Sequence, residues 1–327
     1  MSILVTGGAG YIGSHCVMEL NSRGQDVVVV DSLVKGHRQA VSSGTFCQGD
    51  LRDGEFLDRV FTAHKIDAVV HFAASSLVGE SMKMPKEYYD NNVGGAMSLL
   101  SAMLKHNIRK IVFSSTAATY GEPTRVPIEE TDPQLPTNVY GDTKLTIEHM
   151  LKWFDSAYGI NHVMLRYFNV AGAHSSGAIG EDHRPETHII PLIFNIPLGK
   201  AETFSMYGDD YPTVDGTCIR DYIHVEDLIN AHLLAIDYLA GGKSDVFNLG
   251  NQKGFSNREV LEIARKVTGH KIPSIVKERR PGDPATLIAS CKKATDILGW
   301  KPEKSDLETI IASAWKWHSA HPNGYGD

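Results

Sequence analysis

The chain has 327 residues, 42% hydrophobic and 22% charged, an ordinary globular composition with length for roughly two packed units. Its formal net charge of -7 is spread without any run of Lys or Arg, so nothing is available to neutralise a nucleic-acid backbone and no nucleic-acid partner is expected. No apolar run approaches the roughly 18 residues of a membrane span, so neither a signal peptide nor a membrane helix is expected.

Taken in chain order, five short β-rich runs appear: ILVTGG (3–8), DVVVVD (26–31), DAVVHFAA (67–74), KIVFSST (110–116) and HVMLRYFNV (162–170). They are almost continuously apolar, as strands covered on both faces are. Helical patterns fall between them near 11–23, 54–64, 89–106 and 139–157. This succession predicts an α/β fold with a Rossmann-type doubly wound parallel sheet. The segments 89–106 and 139–157 carry apolar residues on more than one stripe, which fits an oligomer interface as well as an internal core.

After Ala173 the texture changes. GAHSSGAIGEDHRPETH (172–188) is rich in Gly, His and charge, and the elements that follow are short, so a smaller C-terminal mixed α/β domain is expected over 174–327. The first domain, 1–173, is expected to be rejoined by about 218–240, where strand and helix character returns. Cys16, Cys47, Cys218 and Cys291 form no C-x-x-C pair, which suggests neither disulfides nor a zinc knuckle but reduced thiols in cytoplasm.

The first strand runs directly into Gly7-Gly8-Ala9-Gly10-Tyr11-Ile12-Gly13-Ser14. Glycines there permit a tight turn and close backbone approach, and the helix that follows aims unpaired N–H groups at a pyrophosphate. Asp31 ends the next strand, placed to accept from a ribose 2′-OH and to repel a 2′-phosphate. The pattern predicts a dinucleotide site and favours NAD over NADP. Asp50 is read either as an adenine contact or as the N-cap of the helix near 54–64.

Tyr140 and Lys144 are four residues apart, on one helix face. A nearby cation favours the phenolate, which makes Tyr140 a workable base toward a sugar hydroxyl. Ser114, Ser115 and Thr116 end a strand at the sheet edge where ligands bind. Glycine loop, Ser/Thr strand end and Tyr-x-x-x-Lys together resemble the extended short-chain dehydrogenase/reductase superfamily.

Within it, the chain closely resembles the UDP-glucose 4-epimerases through VTGGAGYIGSH (5–15), HFAA (71–74), VGES (78–81), EYYDNNV (87–93), FSSTAATYGE (113–122), LRYFNVAGA (165–173), GDDYPTVDGTCIRDYIHVEDL (208–228), RRPGDPA (279–285) and HPNGY (321–325). The resemblance implies an isomerase of carbohydrate metabolism. It would oxidise and re-reduce sugar C4 through NAD, interconvert UDP-galactose and UDP-glucose, and work as a homodimer. It implies Thr116, Tyr140 and Lys144 as catalytic residues. NAD contacts carry over to Gly7, Gly10, Tyr11, Ile12, Gly13, Asp31, Ser32, Leu33, Lys35, Gly36, Asp50, Leu51, Phe72, Ala73, Ala74, Ser76, Asn91, Ser114, Tyr140, Lys144 and Phe168. Substrate contacts carry over to Thr116, Tyr140, Phe168, Asn169, His188, Ile189, Ser205, Met206, Tyr207, Arg220, Arg280, Asp283 and Leu287.

Two departures and two exclusions refine this. Ser76 stands where relatives can carry a lysine near the NAD phosphates, and Leu287 stands where some carry a tyrosine that confines the sugar pocket. Leucine leaves volume, so UDP-N-acetyl sugars are expected as further substrates. Ala117-Ala118 follow Thr116 where a 4,6-dehydratase needs carboxyl groups, so elimination lacks its acid. Other NAD-dependent nucleotide-sugar epimerases or reductases, and a non-catalytic NAD-binding regulator, stay as alternatives. Glu181, Asp182, His183 and His188 lie on an irregular segment without a fixed ligand spacing, so no metal is expected.

Overall fold

The computed structural model describes residues 1–280 and 283–326. Pro281 and Gly282, within the RRPGDPA stretch, lie outside the described residues, as does Asp327.

Strands β1 (Ser2–Thr6), β2 (Asp26–Asp31), β3 (Thr45–Gln48), β4 (Ala68–His71), β5 (Lys110–Thr116) and β6 (Asn161–Tyr167) share one sheet with Asp245–Leu249. The strand order is Asp245–Leu249, β6, β5, β4, β1, β2, β3, and every pairing is parallel. Consecutive strand residues enter opposite cores, as the two-residue period requires. Val5, Val29, Val112 and Leu165 face one core, completed by Val17 and Leu20 of helix α1 (Tyr11–Ser22) and by Leu228 and Ile236 of helix Val225–Leu239. Leu4, Val28, Val69 and Phe113 face the other, with Leu57 of helix α2 (Gly54–Ala63), Leu99 of Gly95–Lys105 and Leu151 of Val139–Tyr158. Burial on both faces is why these strands lack the polar alternation of a half-exposed sheet.

Each of the five runs read from sequence holds a strand of this sheet, although the end of the last, Asn169-Val170, lies in a separate short strand, Asn169–Ala171, paired with Tyr222–His224. Two further strands, β3 and Asp245–Leu249, went unread. β3 is an edge strand, TFCQ, without a fully buried residue. DVFNL is five residues long and follows a turn, too short for a periodic signal. The helix read as 89–106 begins as a π-helical turn, Tyr89–Gly94, before Gly95–Lys105. Asp53, not Asp50, caps α2, its carboxylate accepting from Phe56 N.

A third core lies outside the sheet. Helices Ile189–Phe194, Asn257–Thr268 and Leu307–Ala320 bury Ile193, Phe194, Val260, Leu261, Ile310 and Ile311 together, with Phe204 and Met206 of strand Phe204–Tyr207. Ser256 and Glu259 close a reciprocal capping box at the start of Asn257–Thr268. Among the described residues, no helix is long and apolar enough to cross a membrane.

The strand order reverses direction between β1 and β4. In such sheets the crevice outside the carboxyl ends at that point takes the ligand, and it is there that the glycine loop and the Tyr140 helix converge.

Candidate active site

The loop from β1 to α1 is shaped by backbone contact. Gly7 has φ +72°, and a Cβ there would lie 2.6 Å from Ala73 N. At Gly13 a Cβ would lie 2.1 Å from Gly7 O, so the helix can approach the loop this closely only without a side chain. Gly10 meets nothing nearer than Gly7 O at 3.4 Å. No side chain caps the N-terminus of α1, which leaves its first-turn amides for a ligand. Asp31 is buried and holds the loop, accepting from Ala9 N at 2.9 Å and Leu33 N at 2.8 Å. Burial raises its carboxyl pKa against these backbone bonds.

Ile12, Leu33, Phe72 and Phe168 pack, half-buried, on the core beneath this crevice. Ala73 N bonds Thr6 O, placing Phe72-Ala73-Ala74 at the carboxyl end of β4. Asn91 donates to Ser75 Oγ at 3.2 Å. Ser32, Lys35 and Ser76 are exposed and Gly36 half-buried; a Cβ on Gly36 would lie 2.9 Å from Asp31 Oδ1. Asp50 is engaged by Arg52 at 2.6 Å, and Arg52 also reaches Asp90. Leu51 packs on the opposite core.

Thr116, Tyr140 and Lys144 are brought together at the end of β5. Lys144 is 3% exposed; its Nζ donates to Ser114 O at 2.8 Å and lies 4.8 Å from the Phe113 ring centroid. Burial lowers its pKa to about 7, opposed by the charge of Glu148. Burial raises the Tyr140 phenol to about 12, opposed by a hydrogen bond with Thr116. Tyr140 sits in the first turn of its helix. Its N–H donates to Ser81 Oγ at 3.1 Å, and Asn138 caps the helix through Gly141 N. The positive end of the helix dipole therefore faces the phenol and favours its anion.

In the short strands Ile219–Arg220 and Thr286–Leu287, Arg220 and Leu287 are register partners of a parallel pair. Arg220 is buried and its Nη2 donates to Asp283 Oδ1 at 2.9 Å. Two residues expected to hold the diphosphate and the ribose are thus already joined in the protein alone. The Arg280 guanidinium stacks 4.2 Å over the Tyr207 ring. Along Phe204–Tyr207, Ser205 and Tyr207 lie on the half-exposed face while Met206 is buried in the third core. The Met206 side chain is not brought to the crevice. Asn169 begins the short strand Asn169–Ala171, and its N–H donates to Asp221 O at 3.0 Å. His188 and Ile189 start the helix Ile189–Phe194.

The model of the NAD dependent epimerase/dehydratase family matches residues 3–250, well over half of the chain. The chain belongs to that family. It is 59% identical over 326 residues to the UDP-glucose 4-epimerase of Halalkalibacterium halodurans, covering 99% of this chain and 98% of that protein. A crystal structure of a UDP-glucose 4-epimerase superposes with a TM-score of 0.98 at 55% identity, covering 99% of both chains. The Bifidobacterium longum UDP-glucose 4-epimerase, crystallised with NAD+ and UDP, superposes with a TM-score of 0.95 at 41% identity over 99% of this chain and 100% of its own.

Around this crevice stand residues that sequence reasoning gave no role. His232 is fully buried, with its Nε2 2.8 Å from Ser114 Oγ and its ring 4.7 Å from that of Phe72. Burial lowers its pKa to about 4, so it is neutral and fixes the strand end that holds Lys144. Glu148 accepts from Ser115 Oγ, Arg166 Nε and Arg166 Nη2 at 2.6, 2.8 and 2.6 Å. Asn92 bonds Ser75 N, Ser75 O and Thr143 Oγ1, so the π-helical turn clamps the loop after β4 to the Tyr140 helix. Glu148 has a sequence signal, one helical turn after Lys144. His232 and Asn92 act through residues distant in sequence and had none.

Proposed function

We infer that the chain is a UDP-glucose 4-epimerase, an isomerase that interconverts UDP-galactose and UDP-glucose. The observation that carries this reading is the convergence of Thr116, Tyr140 and Lys144 at the end of β5, at the switch point shared with the uncapped glycine loop.

The loop fits NAD. The Gly7 and Gly13 contacts hold the helix N-terminus open to a pyrophosphate, and Asp31 stands at the end of β2 where a ribose diol is held. When bound, NAD supplies a hydride acceptor and donor at sugar C4, and its oxidised ring brings a positive charge that favours the phenolate.

Tyr140 Oη then takes the proton of the sugar 4-OH and returns it when the 4-keto sugar is reduced from its other face. Thr116 shares a hydrogen bond with Tyr140 and orients the hydroxyl. Lys144, held on Ser114 O, supports the phenolate. The Arg220–Asp283 pair with Arg280 anchors the nucleotide diphosphate, and the sugar turns about that anchor. Ala117 and Ala118 form the short turn after Thr116, so no acid is placed for elimination.

Finer features belong to the same reading. Leu287 beside Arg220 leaves room for N-acetylated UDP-sugars. Residues 1–173 with about 218–240 serve the cofactor and 174–327 the UDP-sugar. A homodimer is supported by Met97, Trp153 and Tyr158, exposed on the helices Gly95–Lys105 and Val139–Tyr158. A cytoplasmic setting is supported by four free cysteines.

Incubating the purified protein with UDP-galactose and no added reductant tests the reading, together with an absorbance check for co-purified NAD. UDP-glucose should form at steady rate. NAD-bound protein that turns over nothing points instead to a regulator, and turnover only with added reductant points to a reductase.

A further inference from the structure

Beside the crevice, one segment gathers four ligand-type side chains that the epimerase chemistry does not use as a set. Glu181, His183, Glu186 and His188 lie within eight residues, and one ligand atom from each lies within 4.8 Å of all the others. The sequence alone predicts no metal there, because these residues lie on an irregular segment without a fixed ligand spacing. The fold of the loop supplies what the spacing lacks.

The geometry is that of a small four-ligand site. The four His–Glu separations are 3.1 Å and 3.7 Å from His183 Nδ1 to Glu181 and Glu186, and 2.6 Å and 3.4 Å from His188 Nδ1 to the same two carboxylates. Glu181 Oε1 faces both imidazoles, while Glu186 turns Oε2 to His183 and Oε1 to His188; the separations lie on either side of about 3.3 Å, the edge of a tetrahedron with bonds of about 2.05 Å, as zinc makes to imidazole and carboxylate. Two carboxylates balance a divalent charge. Two imidazoles select the zinc class over calcium or magnesium, which demand six or more oxygens.

The surroundings orient the ligands. Glu186 Oε1 accepts from Thr187 N and His188 N, both at 2.7 Å. Glu181 is 4% exposed, and its carbonyl accepts from Trp317 Nε1 at 3.2 Å. Such outer contacts fix ligand geometry in metal sites. A cavity of about 520 Å³, lined by Glu181, His183 and Glu186 and by His318 and Lys200, gives an ion its path from solvent.

We propose that Glu181, His183, Glu186 and His188 form a binding site for one divalent ion of the zinc class. In the protein alone the same groups make two ion pairs: burial disfavours charged imidazoles, yet the two carboxylates outweigh it and hold His183 up to about 9 and His188 to about 10. Zinc takes the place of the two protons among the same four side chains.

The test is titration of the NAD-containing protein, freed of bound metal by a chelator and dialysed, with Zn2+ alone by calorimetry and by metal analysis after desalting. The expected result is one Zn2+ per chain. His183→Asn and Glu186→Gln should each weaken it more than tenfold, while the exposed His149→Asn leaves it unchanged. Both variants avoid the buried Glu181, and His188, which is also expected at the nucleotide; circular dichroism confirms that they fold. Absence of stoichiometric zinc, or equal affinity in all three variants, overturns the proposal without touching the epimerase reading.

Discussion

Replacing Tyr140 by phenylalanine removes one oxygen from the crevice and little else. The ring stays, because its helix is capped by Asn138 and its N–H is held by Ser81 Oγ at 3.1 Å; neither bond involves the phenol. Lys144 stays too, anchored on Ser114 O at 2.8 Å rather than on Tyr140. The loss is therefore confined to proton transfer at the 4-OH, for which a positioned base contributes typically about 10²–10⁴-fold, or about 3–5.5 kcal/mol of barrier. Binding of NAD and of UDP, whose anchors lie at Gly7–Gly13 and at Arg220, should change less than about threefold, because no group at either anchor is altered. Steady-state epimerisation of UDP-galactose gives kcat, calorimetry with UDP gives the affinity, and absorbance gives the NAD content. An unchanged kcat refutes the role of Tyr140. A collapse of NAD content with kcat shows that the substitution acted on the fold and refutes the separation of roles.

Further outcomes follow from other contacts. Arg166→Met strands the buried Glu148 carboxylate and should cost about 3–5 kcal/mol in urea unfolding, while Arg166→Met/Glu148→Met recovers most of it; a double variant less stable than the single one contradicts this. Gly13→Ala would put a Cβ 2.1 Å from Gly7 O, so the protein should purify with little or no NAD, and normal NAD content refutes the backbone account. Leu287→Tyr should abolish any turnover of UDP-N-acetylglucosamine while keeping that of UDP-galactose; a parent protein inert toward the acetylated sugar removes the idea. Burial lowers Lys144 from 10.5 to about 7, so the unfolded chain binds the extra proton between those values. The stability of the wild-type protein should then rise relative to Lys144→Met as pH goes from about 7 to 10; a flat difference contradicts this.

The parts legible in the sequence are those fixed by neighbours along the chain. The runs VVVV in β2 and ILVT in β1 announce strands covered on both faces, and Gly7 to Gly13 announces a tight loop, in which Gly13 is set against Gly7 O. Tyr140 and Lys144 needed only the helical period to be placed on one face. What stayed hidden depends on contacts across the fold. The burial of Met206 in the third core follows from strand alternation and shows only once the strand Phe204–Tyr207 is placed. Asp50 was read as an adenine contact or a cap, and Asp53, three residues on, is the cap because its carboxylate reaches Phe56 N at 3.0 Å. The joining of Arg220 to Asp283, 63 residues apart, and the support of Ser114 by His232 carry no local pattern. The four ligand-type groups between Glu181 and His188 belong with these: close in sequence, but assembled only by how the loop folds.

The central claim is that this crevice oxidises and re-reduces the same sugar carbon with a cofactor that the protein keeps. Its most direct measurement uses UDP-galactose deuterated at C4, given to the purified protein with neither NAD nor reductant added. The account predicts UDP-glucose that retains the deuterium at C4 over many turnovers. UDP-glucose with solvent hydrogen at C4, or no UDP-glucose from protein that carries NAD, contradicts it.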